Sequence, residues 1–341
     1  MGAPIESGIG SLWMAKQSAL GTKATTSAAS MQKLRLSSGS LVPNKKIGME
    51  DRVDGSRFKN EYHFVDAVAG EVGSFTVQAQ TKTAGFIFAV TLGVDVVTGS
   101  SDPYTHTMSS AGSGGAPVTF YQESGASAVH NIESYSDAYI NKLTLEVGQD
   151  QKVMHLTCDV QALTGAEQEA SAPSTAEDTE DPLLWTEVTG AVSLDGVALA
   201  EVEKETLEID SGLSPFYGDG VSPAAIIPGK GPIGRTISSI LTSDTIDYYN
   251  QTMYGTASPS AGDTPTNDVY YLDIETVYTR SASRSITIQT PKVALKPDEM
   301  NLSPQIEGGK KELVLGGECL KDGSTAALTV IVKSGVSTAF V

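Results

Sequence analysis

Short stretches of alternating apolar and polar residues recur along the chain, and this is the pattern of a β-strand with one buried face. Residues 143–147 and 154–160 alternate in this way on either side of the polar stretch 148–151, which predicts a β-hairpin. Asp195-Gly196 lies between two further apolar stretches and is a strong signal for a tight turn. The pattern therefore predicts a chain made mostly of antiparallel strands.

One predicted strand leads into a short helix. In GSFTVQAQTKTAGFIFAVTLG, residues 73–93, the first part alternates as a strand, residues 83–92 have helical spacing, and Gly93 is a helix stop. A similar stretch, IGRTISSILTSDTIDYYNQTMYG, covers residues 233–255. A constant offset of 162 residues aligns the two stretches and pairs Gly93 with Gly255.

Other rare residues recur at similar offsets, which indicates an internal duplication. The pairs are Trp13 with Trp185 at 172 residues, Leu34 with Leu207 and Leu36 with Ile209 at 173, and Cys158 with Cys319 at 161. The fall from 173 to 162 predicts a length difference in a surface loop. We therefore predict a first domain over residues 1–166 with a long loop at 44–71, an acidic linker at 167–182, and a second domain over 183–341.

The predicted fold class is mainly β. A length of 341 residues suits two domains of ordinary size. We expect two tandem antiparallel β-sandwich or open-barrel domains, each with one short α-helix. The scarcity of helical patterns excludes a parallel, doubly wound sheet.

The charge is strongly acidic, with a formal net charge of −18. This argues against a protein that wraps DNA or binds an anionic membrane, because both need a positive surface. Two cysteines do not make a disulfide framework, and no apolar stretch reaches membrane-spanning length. Without a secretory signal at the start of the sequence, we expect synthesis in a reducing cytoplasm.

Signals for catalysis are missing from the sequence. Residues 229–234 fit G-x-G-x-x-G, but Pro228, Pro232 and the β-like residues that follow contradict a dinucleotide site. Cys158 is in phase with apolar neighbours and is predicted to be a core residue. The acidic residues between 177 and 181 could hold calcium, but they lack the spacing of a calcium loop. We predict no enzyme activity, no cofactor and no metal.

The chain resembles the tail tube proteins of long-tailed bacteriophages over nearly its whole length. The opening GIGSLWMAKQSALGTKATT is similar to that family's first strand and Gly-Thr turn, and VQAQTKTAGFIFAVTLG to its strand and helix. YTHTM from Tyr104 resembles the short strand that follows, and KLTLEVGQDQKVMHLTCDVQA the sheet hairpin. The second half departs from the pattern, because it has no counterpart of YTHTM and its helix is more polar.

The resemblance implies a structural virion protein that polymerises as stacked rings into a tail tube, the conduit for DNA ejection. Sheets of neighbouring subunits would join into one closed ring barrel. A duplicated chain would build that ring from three copies with pseudo-sixfold symmetry. The implied partners are the protein itself, the tail terminator, tail tip and tape-measure proteins, and double-stranded DNA in passing. The implied location is the virion tail, after assembly in the host cytoplasm and without a membrane.

Two sets of residues are candidates for this assembly. The polar members of the alternating strands would face the channel: Glu146, Asp159, Glu208, Asp210, Asp273 and Glu275. The outer surface of the sandwich is an almost equally good place for them. The charged residues of the long loop would contact the adjacent ring: Lys45, Lys46, Glu50, Asp51, Arg52, Asp54, Arg57 and Lys59. The alternative is a mobile surface loop.

Other functions remain open at this point. A virion-decorating or surface-binding protein made of tandem β-sandwiches, without tube assembly, is the main alternative. A hexameric ring with the second domain outside it is another.

Overall fold

A computed structural model describes most of the chain. The described residues are 10–42, 45–52, 60–67, 69–110, 114–126, 129–185, 192–199, 202–220, 222–229, 231–243, 245–297, 300 and 312–341. They form antiparallel strands and two short helices, which confirms the predicted fold class.

Among its described residues, the first half contains twelve strands and one helix. The strands are β1 (Ser11–Lys16), β2 (Gln32–Leu34), β3 (Leu36–Leu41), β4 (Lys46–Arg52), β5 (Asn60–Ala67), β6 (Gly70–Gln78), β7 (Gly93–Thr98), β8 (Tyr104–Ser110), β9 (Val118–Ala126), β10 (Val129–Gly148), β11 (His155–Ala162) and β12 (Glu167–Gln168). Helix α1 (Thr81–Leu92) lies between β6 and β7.

The second half contains ten strands and one helix among its described residues. The strands are β13 (Val192–Leu194), β14 (Val197–Leu199), β15 (Val202–Asp210), β16 (Ser214–Phe216), β17 (Ala225–Ile227), β18 (Ile233–Ile240), β19 (Tyr271–Ser281), β20 (Arg284–Leu295), β21 (Glu312–Cys319) and β22 (Thr329–Ser334). Helix α2 (Ile246–Tyr254) follows β18.

The strands pair in the same order in both halves. In the first half, one group runs β3-β6-β11-β10 and the other runs β2-β1-β9-β10. In the second half, the corresponding groups run β15-β18-β21-β20 and β14-β13-β19-β20. The hairpins β4–β5 and β16–β17 also occupy the same place in the two sequences of elements. The two halves therefore share one topology.

Two irregularities in the strands repeat as well. β3 has a bulge at Leu36/Ser38 opposite β6, and β15 has one at Val202/Lys204 opposite β18. The long strands β10 and β20 have matching bulges opposite β9 and β19. Because a bulge shifts the register locally, its recurrence aligns the two halves residue by residue.

This register supports the predicted offset of 162 between the two strand-and-helix stretches. It contradicts the offsets of 172, 173 and 161 that were predicted from the Trp, Leu and Cys pairs. Phe75 and Ile237 occupy matching positions, since they pair with Gly39 and Glu205 beside the repeated bulges. Trp13 lies within β1, whereas Trp185 precedes β13, so the tryptophans do not correspond. By the same register Leu207 matches Leu41, not Leu34, and Leu315 matches Cys158. The matches of Trp, Leu and Cys were therefore coincidences.

The first and second halves join through their sheets. The C-terminal part of β10 pairs on one side with β11 and on the other with β15, in the register Leu145↔Leu207. This joint fuses the two four-stranded groups into one eight-stranded sheet with the order β3-β6-β11-β10-β15-β18-β21-β20. A second joint pairs β8 of the first half with β22 of the second.

Helix α1 is buried between strands of the first half and strands of the second half. Every α1 residue except Lys82 is buried, and Gly85 lies against Phe340 and Val332 of the second half. Gly93, at a φ of 85°, ends the helix, and its N–H donates to the carbonyl of Ala89. Of the α2 residues, in contrast, Thr252 is the buried one. This difference accounts for the apolar sequence of α1 and the polar sequence of α2.

Two predicted irregular segments have more structure than expected. Residues 44–71 were predicted as a loop, but they contain the β4–β5 hairpin. In the predicted linker, β12 pairs with β10, and the carbonyl of Thr175 accepts a hydrogen bond from Trp13 Nε1 at 3.0 Å. The segment thus lies against the first half. The domain division at 166 and 183 stays a prediction.

Candidate assembly surfaces

One face of the eight-stranded sheet is polar, and we call it the polar face. Lys142, Thr144 and Glu146 of β10 lie on it, while the residues between them are buried. Cross-strand pairing places Asp159 and Asp210 beside Lys142, and Glu208 beside Thr144. Four of the six predicted channel residues, Glu146, Asp159, Glu208 and Asp210, therefore share one surface.

The other two predicted channel residues lie elsewhere. Asp273 and Glu275 are on β19, which belongs to the other group of strands in the second half. Glu275 accepts a hydrogen bond from the amide of Gln289 on β20. Strand alternation predicted that both side chains would be polar, but it carries no information about which sheet a strand joins.

Ion pairs link β10 to β15 across the polar face. Lys142 Nζ lies 2.8 Å from Glu208 Oε1, and Lys204 Nζ contacts Glu146. The hydrogen bond to Glu208 raises the pKa of Lys142 above its usual range. Partial burial, together with neighbouring carboxylates, raises the pKa of Asp159, although Lys142 opposes the shift. The charges of this joint thus reinforce its strand register.

The two outer edges of the eight-stranded sheet differ from that joint. Residues 37–40 of β3 are exposed, and Val42 beyond its end is 57% exposed. At the opposite side, β21 pairs with β20 through residues 317–319 alone among the described residues. β20 also pairs with β19 on its other side, whereas β3 pairs with β6 alone among the described residues. β3 is therefore an edge that can accept a further strand.

The predicted ring-stacking residues lie on or beside the β4–β5 hairpin. Lys46, Glu50, Asp51 and Arg52 belong to β4, and Lys45 precedes it. Asp54, Arg57 and Lys59 lie outside the described residues. In the second half, the equivalent β16–β17 hairpin is shorter, and Tyr217 between its strands donates a hydrogen bond to the carbonyl of Ala69 at 2.6 Å. The second hairpin thus lies close to the end of the first.

A buried ion pair holds the second half together. Arg235 on β18 and Glu205 on β15 are both fully buried, with Nη2 and Oε1 2.8 Å apart. Tyr278 also donates to Glu205, and Arg235 Nη1 donates to the carbonyl of Ile274 at 2.6 Å and to Thr290 Oγ1 at 2.7 Å. The matching positions in the first half are Gly73 and Gly39. A signal for the pair was available, since both residues are in phase with buried apolar neighbours.

A second buried cluster fastens the C-terminal residues to the first half. His106 Nδ1 lies 3.0 Å from Asp95 Oδ2, and both side chains are fully buried. His106 Nε2 lies 2.8 Å from the carbonyl oxygen of Val336, and the His106 ring stacks on Phe340. Phe340 N–H donates to Asp95 at 2.7 Å. We call these four residues the C-terminal clasp.

No catalytic or metal-binding arrangement emerges among the described residues. They contain no group of three or more His, Cys, Asp or Glu side chains arranged to hold a metal ion. Cys158 is fully buried, and burial raises its thiol pKa far above the usual range. In this part of the chain, neither helix is long and apolar enough to cross a membrane.

The comparisons with known proteins agree with this architecture. A family model described as "Phage tail tube protein" matches residues 9–314. The chain belongs to the phage tail tube protein family. No curated protein matches it. Membership makes the chain a structural component of the virion tail that assembles with itself, in a class of proteins that is typically not enzymatic.

Replacing Glu205 by Gln should strongly destabilise this tail tube protein. The change leaves the buried Arg235 guanidinium without a carboxylate, which costs about 3–5 kcal/mol in comparable cases. Urea unfolding followed by circular dichroism measures the loss. Asp181→Asn is the control, because Asp181 pairs with Arg280 at an exposed site and should cost less than about 1 kcal/mol. Equal effects of the two changes would contradict the role of the buried pair.

The clasp should make stability depend on pH. Burial alone would lower the pKa of His106, but Asp95 and the Val336 carbonyl raise it above its ordinary value of 6.5. The stabilisation is therefore complete below that ordinary value and is lost as pH rises through the higher value of the folded chain. Urea unfolding from about pH 5.5 to about pH 8.5 should show this fall. His106→Asn should flatten it, and an unchanged slope would refute the assignment.

Proposed function

We propose that three copies of this tail tube protein form a ring, and that stacked rings form the conduit for DNA ejection. The observation that carries the proposal is the shared topology of the two halves. Each half supplies the same four strands to the eight-stranded sheet, so three chains would supply six equivalent units. A ring of this kind has threefold symmetry that is close to sixfold.

The size of such a ring suits a DNA duplex. Three eight-stranded sheets give twenty-four strands, which at about 4.8 Å spacing and about 40° tilt enclose a backbone diameter of roughly 48 Å. Side chains would narrow the bore to roughly 40 Å, and the two grooves of a duplex imply a width of roughly 20 Å. DNA could therefore pass without tight contact.

The polar face is our candidate for the wall of the bore. It carries Glu146, Asp159, Glu208 and Asp210, with Lys142 and Lys204 among them. An acidic surface repels phosphate, whereas a basic one would hold DNA through released counterions. We propose that these carboxylates let DNA slide. Asp273 and Glu275 are not part of this proposal, because β19 lies outside the eight-stranded sheet.

Further partners follow from a place in the tail. We propose that the tube meets tail terminator, tail tip and tape-measure proteins, and that it assembles in the host cytoplasm. The main alternative, a decorating protein without tube assembly, predicts a monomer at high concentration. The edge at β3 favours the tube.

The symmetry of the assembled protein tests the proposal. The purified full chain should form rings or tubes in negative-stain electron microscopy, and class averages should show threefold symmetry with six similar lobes. A reconstruction should place the polar face on the bore. A chain that stays monomeric at high concentration, or a ring of six chains with the second half outside, would refute the trimeric ring.

The β4–β5 hairpin should control stacking. We propose that its mixed charges form ion pairs with the adjacent ring. Reversing two of them, in Arg52→Glu with Arg57→Glu, should leave the chain folded and ring-forming but impair tube elongation. Electron microscopy measures tube length, and circular dichroism checks the fold. Lys82→Glu on α1, a change of the same sign, is the control. Tubes of normal length from the double variant would end this hypothesis.

A further inference from the structure

The side chain of Gln122 occupies the free edge of β3. Leu41 N–H donates to Gln122 Oε1 at 2.7 Å, and Gln122 Nε2 donates to the carbonyl of Leu41 at 2.9 Å. These two bonds are those that a neighbouring strand would make with Leu41. The N–H and C=O groups of Leu41 point away from β6. The N–H of the next residue, Val42, points the opposite way and donates to the carbonyl of Val72 at 2.7 Å.

The second half shows what normally fills this position. Leu41 pairs with Gly73, and Leu207 pairs with Arg235. Gly73 and Arg235 match at the offset of 162, so the two leucines match as well. On its other side, Leu207 pairs with Leu145 of β10. A strand from the other half thus covers Leu207 inside the chain, whereas a side-chain amide covers Leu41.

We propose that Gln122 protects the β3 edge of the isolated chain, and that a second copy displaces it when the ring closes. This inference rests on the proposed ring. The incoming element is a strand from the second half of that copy, because β15, which matches β3, already pairs with β10 of the other half. A side chain that caps an edge strand in this way blocks unwanted pairing until a specific partner arrives.

The new joint differs chemically from the one inside the chain. Glu208 and Lys204 of β15 make ion pairs with β10, but the matching residues are Val42, just after β3, and Ser38 of β3. Val42 is 57% exposed and Ile47 is 63% exposed, so apolar surface flanks the edge. The joint between copies therefore depends on backbone hydrogen bonds and apolar contact, and salt should weaken it little.

Hydrogen exchange measured by mass spectrometry tests the pairing directly. Peptides that cover β3 should exchange at least about tenfold more slowly in assembled tubes than in the isolated chain, because strand pairing protects amides. Tubes that form while β3 exchanges as fast as in the isolated chain would overturn this inference and leave the tube function intact. Failure to form any ring would instead refute the proposed function.

Substitution of Gln122 tests the protective role. Gln122→Ala should speed exchange in β3 of the isolated chain and lower the concentration needed for ring formation by about tenfold, since two hydrogen bonds no longer have to break. Gln289→Ala is the matched control, because the Gln289 amide bonds to Glu275 on another part of the surface. It should leave ring formation unchanged. A higher assembly concentration for Gln122→Ala than for the control would overturn the protective role.

Discussion

Unpaired backbone groups at the edges of an open sheet are the constraint on which this structure depends. A strand edge exposes a row of N–H and C=O groups, and these groups must meet water, a side chain or another strand. Inside the chain, β10 and β15 pair with each other, so that each satisfies the backbone groups at the edge of the other. The fused sheet still has an edge at β3, and an architecture that repeats its joint around an axis can remove it.

The different burial of the two helices follows from the way in which the two halves join. α1 lies where the two halves meet, and β22 together with Phe340 covers one side of it, so its sequence is mostly apolar. α2 occupies the matching place in the second half, where the described residues 255–270 form no counterpart of the β7–β8 hairpin. Its polar sequence suits a helix that keeps one side in water.

The sequence predicted those parts of the fold that depend on local patterns. The strand and helix before Gly93, the hairpin around residues 148–151 and the turn at Asp195-Gly196 all form as expected, because period and glycine placement are local signals. Register is not local. Matching Trp13 with Trp185 failed because bulges and hairpins of unequal length change the offset from strand to strand.

The candidate site shows the same limit. Alternation predicted that Glu146 and Asp273 lie on the polar side of their own strands. Only long-range pairing decides that β10 and β19 belong to different groups of strands. Arg235 and Glu205 were missed for a different reason. Two opposite charges at core-facing positions of β18 and β15 predict a buried ion pair, yet the partner strands must be known before the pair can be recognised.

A fused chain can make its two kinds of joint unequal, which a ring of six identical domains cannot do. The β10–β15 joint within the chain carries Lys142–Glu208 and Lys204–Glu146, and the C-terminal clasp lies at the β8–β22 joint. It forms as the chain folds. The β3 edge has neither the ion pairs nor the clasp, and in the isolated chain the side chain of Gln122 is hydrogen-bonded to it. In the proposed ring, the joint with ion pairs is intramolecular and the joint at β3 is intermolecular. Concentration and the growing tube could then control ring closure without weakening the subunit itself.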